Sequence, residues 1–514
     1  MTFLFSLVVK MIRLEDYVRR TLQARVYDVA KETPLDEARL LSRRLKNKIL
    51  LKREDLQPVF SFKIRGAYNK IAQLSPEERA KGVICASAGN HAQGLAYSAK
   101  HLKIQGIIVM PLTTPDIKVN AVKSLGGHVI LHGDAFDEAA VFAKQLATDK
   151  GYCFIPPYDD LEVIAGQGTV GMEILRQQTQ QLDAVFVPVG GGGLMAGVAA
   201  YIKYVRPEVK IIAVEPEDAA CLKAALDAGE RVTLAHVGLF ADGVAVAQIG
   251  VETFKVAQVC VDEVITCTTD EMCAAIKDIF EDTRSIAEPA GALSLAGLKK
   301  YIEREKCEGK TLVAIDSGAN MNFDRLRHIS ERTEIGEKRE AIFAVTIPEK
   351  AGSFKAFCQT LGKRNITEFN YRYADKKDAY VFVGIQLRAA TQERPELKET
   401  LEKKGYAVLD LSEDEMAKLH IRHLVGGHAG LSDELLFRFE FPERPGALLN
   451  FLSRLSGHNI SLFHYRNHGA AYGRVLVGLQ LGKKSKAELI MSLEAVGYPF
   501  SEESDNPAYQ LFLR

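Results

Sequence analysis

The chain repeats itself. Ile342–Leu387 matches Leu436–Leu481 without a gap at a constant offset of 94, with 16 identities over 46 positions. The identities include Pro348 with Pro442, Glu349 with Glu443, Gly352 with Gly446, Phe357 with Phe451, Asn365-Ile366 with Asn459-Ile460, Tyr371-Arg372 with Tyr465-Arg466 and Gly384 with Gly478. A gapless match of this length marks a duplicated module. Each copy reads as strand, Pro-Glu-x-x-Gly turn, helix, strand, strand. Phe343, Val345 and Ile347 alternate as one strand face, and a helix is expected from Phe354 to Leu361. Asn365 and Asn459 are expected to stop helices, because Asn tolerates the left-handed conformation. Such a pair is either purely architectural or forms an interface where a regulatory ligand binds.

Upstream, from about Val26 to Arg332, short apolar runs alternate with helical segments. Val83–Ala86, Ile107–Met110, His128–Leu131, Val185–Val189 and Ile211–Val214 read as strands. Ala92–Leu102, Ile117–Leu125, Phe136–Ala147 and the stretch ending at Val205 read as helices. Strands that are apolar throughout and separated by helices imply a mainly parallel sheet covered on both faces. The fold class is therefore α/β, doubly wound, followed by two smaller α+β modules. The expected divisions are 1–335, 341–413 and 435–506.

Charge and length narrow the function classes. Lys plus Arg and Asp plus Glu each number 66, so the formal charge is zero. Such a chain has no global field for a phosphate backbone, and nucleic acid is not an expected partner. No run of 18 apolar residues occurs, so no membrane span is expected. The eight cysteines include no Cys-x-x-Cys pair and read as free thiols of a reducing cytoplasm. The apolar start, Met1 to Val9, lacks both a preceding basic residue and a small-residue cleavage site. It reads as an N-terminal extension, with Met11 as an alternative start.

Four stretches could carry chemistry. Lys63 lies between Phe62 and Ile64, where burial would lower its pKa and leave a neutral amine able to attack a carbonyl. The alternative is a lysine whose stem is covered and whose head reaches water. Ser87-Ala88-Gly89-Asn90-His91 joins a strand to a helix, where free N–H groups suit an anion, or where Asn90 is simply a cap. Gly190-Gly191-Gly192-Gly193 follows a strand and precedes a helix. Four consecutive glycines carry a high entropic cost, which points beyond packing to a loop whose N–H groups turn toward a phosphate. Gly191, Gly193 and Ala196 also fit the loose dinucleotide pattern, with Glu215 near the position of a ribose-binding acid. Ser317, in Asp316-Ser317-Gly318-Ala319-Asn320, would stand at the carboxyl end of a strand, as a ligand contact or as a local turn.

Taken together, Ser61-Phe62-Lys63-x-Arg65-Gly66-Ala67, Ser87 to Gly94, the tetraglycine loop and Ser317 to Asn320 resemble the biosynthetic threonine dehydratases (threonine deaminases). These are pyridoxal 5′-phosphate enzymes of fold-type II with two ACT-like regulatory modules. The resemblance runs from about Leu14 to Leu513. It implies that Lys63 holds the cofactor covalently and later acts as general base. It implies that Gly190, Gly191, Gly192, Gly193 and Leu194 bind the phosphate, that Asn90 meets the phenolic oxygen, and that Ser317 faces the pyridine nitrogen. The Ser87–His91 loop would receive the substrate carboxylate. The implied reaction is β-elimination of L-threonine, with L-serine as a second substrate, giving 2-oxobutanoate and ammonia for isoleucine synthesis. Isoleucine and valine are the implied effectors, and a homotetramer the implied assembly.

Two departures matter. Serine racemases resemble the same loop but carry a serine where Ala88 stands. A cation site of some relatives uses an acid like Glu215 and a second acid where Cys221 stands, so no metal is expected. Glu288 is left without a role, as a group near the cofactor or a structural ion-pair partner. The competing functions are another β-eliminating or β-replacing enzyme of the same cofactor, a nicotinamide-dependent dehydrogenase, and an amino-acid sensor whose enzymatic half is inert.

Overall fold

The computed structural model describes residues 13–336 continuously and most of 340–513. Outside the description lie 1–12, 337–339, 349–352, 363, 365, 374–377, 388–389, 422–432, 443–450, 452–458, 467–471, 483–484 and 514. The apolar start, the turns after Pro348 and Pro442, and Asn365 therefore fall outside it. The chain forms two compact units, one ending at Phe323 and one beginning at Asp324.

In the first unit the chain lays down β1 (Leu35–Glu37) and β2 (Lys48–Arg53). It then departs to build a separate parallel sheet from β3 (Val83–Ala86), β4 (Gly106–Met110), β5 (His128–Leu131) and β6 (Cys153–Phe154), in the order β5-β4-β3-β6. It returns with β7 (Ala184–Pro188), β8 (Lys210–Pro216), β9 (Glu263–Cys267) and β10 (Thr311–Asp316). The larger sheet runs β1-β2-β10-β7-β8-β9. It is parallel except for β1, which pairs antiparallel with β2. Every residue of β3, β4, β7 and β10 is buried, as a sheet sandwiched between helices requires. The sequence pattern located these strands to within a residue or two. It did not distinguish one sheet from two.

A cluster of charges lies wholly inside this unit. The Arg65 guanidinium donates to both oxygens of Glu54 at 2.8 Å and to both oxygens of Glu173 at 2.5 and 2.9 Å. Lys52 pairs with Glu173 at 2.6 Å and donates to the Thr33 carbonyl. Burial works against the Glu54 carboxylate, but Arg65 outweighs it and holds its pKa below the usual range. The cluster joins β2, the turn after it, the helix Lys63–Ala72 and the helix Leu161–Gln177.

The second unit contains both repeats. The first has β11 (Glu340–Pro348), β12 (Ile366–Tyr373), β13 (Asp378–Gln386) and β14 (Ala407–Asp410), ordered β12-β13-β11-β14. The second has β15 (Glu434–Pro442), β16 (Asn459–Arg466), β17 (Tyr472–Gln480) and β18 (Phe500–Glu502), ordered β16-β17-β15-β18. The 94-residue offset persists in the hydrogen bonding. Glu340 pairs with Gln386, and Glu434 with Gln480. The register shifts between Ile366 and Glu368 and again between Ile460 and Leu462. Beyond the elements read from the sequence, each copy continues into a helix (Ala390–Lys403, Lys486–Val496) and a fourth strand. Asn459 opens β16 rather than stopping a helix, because its backbone is committed to the ladder with Gln480. Ile342 and Phe382 share an apolar core with Leu436, Leu476 and Tyr509, so the modules are packed together. Glu415 adds an ionic tie. It accepts two hydrogen bonds from Arg332 and one from Arg474. Partial burial disfavours its charge, but the arginines prevail and lower its pKa to about 2.

Two outcomes are expected. Arg65→Ala leaves two buried carboxylates without their partner and lowers stability by about 3–5 kcal/mol, read from the urea midpoint. A loss under about 1 kcal/mol would contradict this account. Glu415→Gln lowers stability by about 1 kcal/mol, a modest value because a third of the side chain still meets water. A depressed carboxylate pKa stabilises above the unfolded-state value and ceases to do so as pH falls toward the folded one. The deficit of the variant should therefore be constant from pH 7 to 5 and shrink below about pH 4.5, in the window down to about 2.

Candidate active site

The expected site residues meet at the carboxyl ends of β3, β7 and β10. Lys63 is the first residue of the helix Lys63–Ala72. The chain reaches it through a left-handed Phe60, φ +54°, a conformation unfavourable for a bulky side chain. The turn holds because Phe60 donates to the Gln57 carbonyl at 2.8 Å and its own carbonyl accepts from Ala319 N–H at 2.8 Å. Ser61 then bridges to Gly318, and Phe62 N–H donates to the Ser317 carbonyl at 3.2 Å. The strained turn thus fastens the Lys63 loop to the end of β10.

The Lys63 amine turns inward and donates to the Pro157 carbonyl at 2.9 Å, rather than reaching for water. Burial lowers its pKa to about 8, partly opposed by the negative charge of Glu288. His91, on the neighbouring helix, is buried with Nε2 2.9 Å from the Ile155 carbonyl, so the ring proton is assigned to Nε2. Burial, helped by the nearby Lys63 charge, lowers the His91 pKa to about 3 and keeps the ring neutral.

Asn90 begins the helix Asn90–Leu102, whose N-cap is Gly89. Its carboxamide does not cap that helix. It donates to Glu288 at 2.6 Å and accepts from Asn320 at 2.7 Å. Ser317 follows β10, buried, and donates to the Ala290 carbonyl at 3.2 Å.

The four glycines are buried between β7 and the helix Gly193–Val205, of which Leu194 is the second residue. Gly192 has φ +90°, so the chain turns sharply and leaves the first helical N–H groups pointing outward from the helix end. A Cβ at Gly191 would lie 2.2 Å from the Tyr158 ring. The loop is anchored through the Gly191 carbonyl, which accepts from Thr253 Oγ1 at 2.8 Å.

Residues outside the sequence-derived set close the site. Pro157 receives the Lys63 hydrogen bond and the next residue, Tyr158, packs on the glycine loop. Val244 lies against Gly190, and a Cβ at Gly243 would lie 3.6 Å from Glu288 Oε1 and 3.8 Å from Asn90 Nδ2. Pro157, Tyr158, Val244 and Thr253 carried no local signal, since each acts through contacts distant in the chain. Glu215 is otherwise engaged. It accepts from Leu222 and Lys223 N–H groups at 2.8 and 2.9 Å and starts the helix Cys221–Ala228. Burial pushes its pKa up to about 7 against those N–H groups. The dinucleotide reading thereby loses its ribose-binding acid. A cavity of about 530 Å³ opens at the other, amino-terminal edge of the same sheet, beside Arg206, Lys210 and Lys310. Arg206 pairs with Glu208 and Lys310 with Asp183, and the cavity is remote from Lys63.

The family described as "Pyridoxal-phosphate dependent enzyme" matches residues 26–318. The "C-terminal regulatory domain of Threonine dehydratase" matches twice, at 331–421 and 425–513. The biosynthetic L-threonine dehydratase IlvA of Burkholderia multivorans is 56% identical over 503 residues, 97% of this chain and 99% of its own. That of Escherichia coli is 56% identical over 97% of both chains. The chain belongs to the threonine dehydratases. The mitochondrial threonine dehydratase of Saccharomyces cerevisiae is 51% identical, over 97% of this chain and 89% of its own. Among solved structures, the processed threonine deaminase isoform 2 of Solanum lycopersicum is 50% identical, with a TM-score of 0.61 over 62% of this chain and 93% of its own. Maize serine racemase is 33% identical, with a TM-score of 0.57 over 61% and 95%.

Threonine dehydratases depend on pyridoxal phosphate, and the residues present fit it. An amine of lowered pKa, a glycine turn closed to any Cβ and a buried hydroxyl at the end of β10 are groups that would suit an imine-forming nitrogen, a phosphate cradle and a neutral ring-nitrogen partner. A pH dependence follows. Only the neutral amine attacks an aldehyde. The rate at which cofactor-free protein takes up pyridoxal phosphate should therefore rise with pH through a midpoint near 8, not near the ordinary lysine value of about 10.4. Stopped-flow absorbance at a series of pH values reads this directly, and a midpoint near 10 would refute the lowered value.

Proposed function

We propose that this chain converts L-threonine to 2-oxobutanoate and ammonia by β-elimination, with Lys63 as the residue that carries pyridoxal phosphate. The observation that carries the reading is the Lys63 amine, turned inward to Pro157 with its pKa lowered by burial, at the point where the ends of β3, β7 and β10 converge. When bound, the cofactor supplies the electron sink that makes the Cα proton of an amino acid removable.

The chain's own groups do the rest. Gly190, Gly191, Gly192, Gly193 and Leu194 would hold the phosphate through backbone N–H groups and the helix dipole. Asn90 would donate to the phenolic oxygen. Ser317 would meet the ring nitrogen as a neutral hydroxyl, holding a proton there less firmly than a carboxylate would, which suits prompt loss of the β-hydroxyl. The Ser87–His91 loop would receive the substrate carboxylate. Lys63 Nζ, once released, takes the Cα proton as general base. The neutral His91 leaves it without a competing cation on that side. Loss of water and then hydrolysis with release of ammonia leave no net water consumed.

Racemisation is the nearest competing outcome, and serine racemases do resemble this unit. It needs a second proton carrier across the substrate. Ala88, where those enzymes carry serine, has no proton to move and packs against an apolar cluster instead. L-serine, which has the same β-hydroxyl, is the expected second substrate. The duplicated modules support regulation by a small effector, for which isoleucine and valine are the proposed ligands, and a homotetramer and cytoplasmic location complete the proposal. No helix among the described residues is long and apolar enough to cross a membrane.

The purified protein should be yellow and should release 2-oxobutanoate from threonine. Lys63→Ala should abolish the imine-bound colour and reduce turnover by at least about 10³-fold. Borohydride reduction and peptide mapping should place the label on Lys63. Full turnover in the variant, or a label elsewhere, would remove the mechanism.

A further inference from the structure

Asn90 sits in the middle of a directed chain of hydrogen bonds. A carboxamide offers two N–H donors on one side and an acceptor oxygen on the other, and either side can be turned toward a ligand. Here the choice is made by partners that cannot reverse their roles. The Val59 carbonyl can only accept, and it takes a hydrogen bond from Asn320 Nδ2 at 2.8 Å. The same Asn320 nitrogen donates to Asn90 Oδ1 at 2.7 Å. Asn90 Nδ2 then donates to Glu288 Oε1 at 2.6 Å. A carboxylate there accepts, so a flipped Asn90 would set oxygen against oxygen at one end and nitrogen against nitrogen at the other. The chain engages the Asn90 oxygen and one of its N–H bonds, and one N–H donor remains.

The members come from three separate parts of the fold. Asn90 opens its helix after β3, Glu288 is the N-cap residue of the helix Pro289–Glu305, and Asn320 lies in the loop after β10. Backbone geometry holds them in place. Glu288 N–H donates to the Gly318 carbonyl at 3.0 Å, and a Cβ at position 318 would lie 2.8 Å from Glu288 Oε1. The stretch Ser317-Gly318-Ala319-Asn320 thus does three things: it presents a hydroxyl, leaves room for a carboxylate, and supplies the amide that fixes Asn90. Glu288 is itself almost fully buried, 4% exposed.

We propose that Glu288 and Asn320 are positioning residues that lock the Asn90 carboxamide so that its remaining N–H is the group presented to the phenolic oxygen of the cofactor. The proposal rests on the assignment of pyridoxal phosphate to Lys63. It gives Glu288 a function through Asn90, distinct from a purely structural ion pair.

The test compares Glu288→Ala, Glu288→Gln and Asn320→Ala in the full chain. Two quantities are read: the dissociation constant for pyridoxal phosphate by equilibrium dialysis, and the visible absorption maximum of the bound cofactor, which reports on the phenolic oxygen. Glu288→Ala and Asn320→Ala should each weaken binding roughly tenfold or more and move the absorption maximum. Glu288→Gln, whose side-chain oxygen still accepts from Asn90, should stay within about threefold of the parent, with its maximum unmoved once each protein is read at a pH that gives the Lys63 nitrogen the same protonation. A merely structural role would lower the unfolding midpoint and leave the maximum of the folded protein alone. Should Glu288→Ala fail to fold, Asn320→Ala and Glu288→Gln still decide the matter. An unmoved maximum and unchanged affinity in Asn320→Ala overturn the proposal, as does Glu288→Gln behaving like the loss of a charge rather than the retention of an acceptor. Borohydride labelling of the parent separates the two levels. No label on Lys63 removes the cofactor assignment itself, whereas a labelled Lys63 with unmoved variants removes only the positioning role.

Discussion

Arg65 and the three buried charges around it are the constraint on which the proposed active site hangs. Arg65 is two residues from Lys63 on the same short helix, and its guanidinium is gripped by Glu54 on one side and Glu173 on the other. Such a cluster is a poor source of stability, since well-packed apolar groups of the same volume often do as well or better. Its geometry is what an apolar core cannot imitate. Two bidentate pairs fix the rotation and the height of the helix that begins at Lys63, and Lys52 fixes Glu173 in turn. A nucleophile must be held to within a fraction of an ångström, and a directional cluster does this where methyl groups would permit sliding.

Much of the site was legible because its chemistry is local. Lys63 between two apolar residues, four glycines in a row, and Ser317 just after an apolar strand each have a physical meaning within a few positions. The loops also fall at the ends of parallel strands, where ligands of α/β sheets gather. What remained hidden is what those residues touch. Pro157 is 94 positions from Lys63, and Glu288 is 198 from Asn90. Tyr158 and Thr253 look like ordinary loop and helix residues until the glycine turn is seen packed between them. Glu215 misled for the complementary reason. Its spacing suits a ribose-binding acid, but two backbone N–H groups of the following helix already claim it.

The repeats were legible for a different reason, namely that a register is copied with the sequence. The shared offset of 94 reappears in strand pairing and in the irregularity beside Glu368 and Leu462, so the duplication preserved backbone detail as well as hydrophobic pattern. The extra helix and edge strand of each copy escaped notice because they lie past the stretch where the two sequences still match. Neither module is a closed unit. Ile342 and Phe382 of one bury the Leu436 and Leu476 of the other, and Glu415 binds arginines from the helix before the first module and from β17 of the second. A ligand that favours one arrangement of these shared contacts therefore acts on both modules at once, which is the requirement for a coupled response.

The same economy of charge governs the amine of Lys63. Burial alone would push its amine further toward neutrality, and Glu288 moderates that push. His91 stays uncharged and contributes no opposing cation. The result is an amine near pKa 8, which passes between neutral and protonated forms within a narrow range of pH, as its proposed role requires. A fully apolar pocket would leave it too weak a base, and an exposed lysine would leave it almost wholly protonated. Because Glu288 also receives the Asn90 hydrogen bond, the group that sets this balance is fixed by the same contacts that orient the cofactor's proposed partner. A substitution that removes both the acceptor and the charge of Glu288 therefore changes orientation and basicity together, and only one that keeps the acceptor while removing the charge separates them.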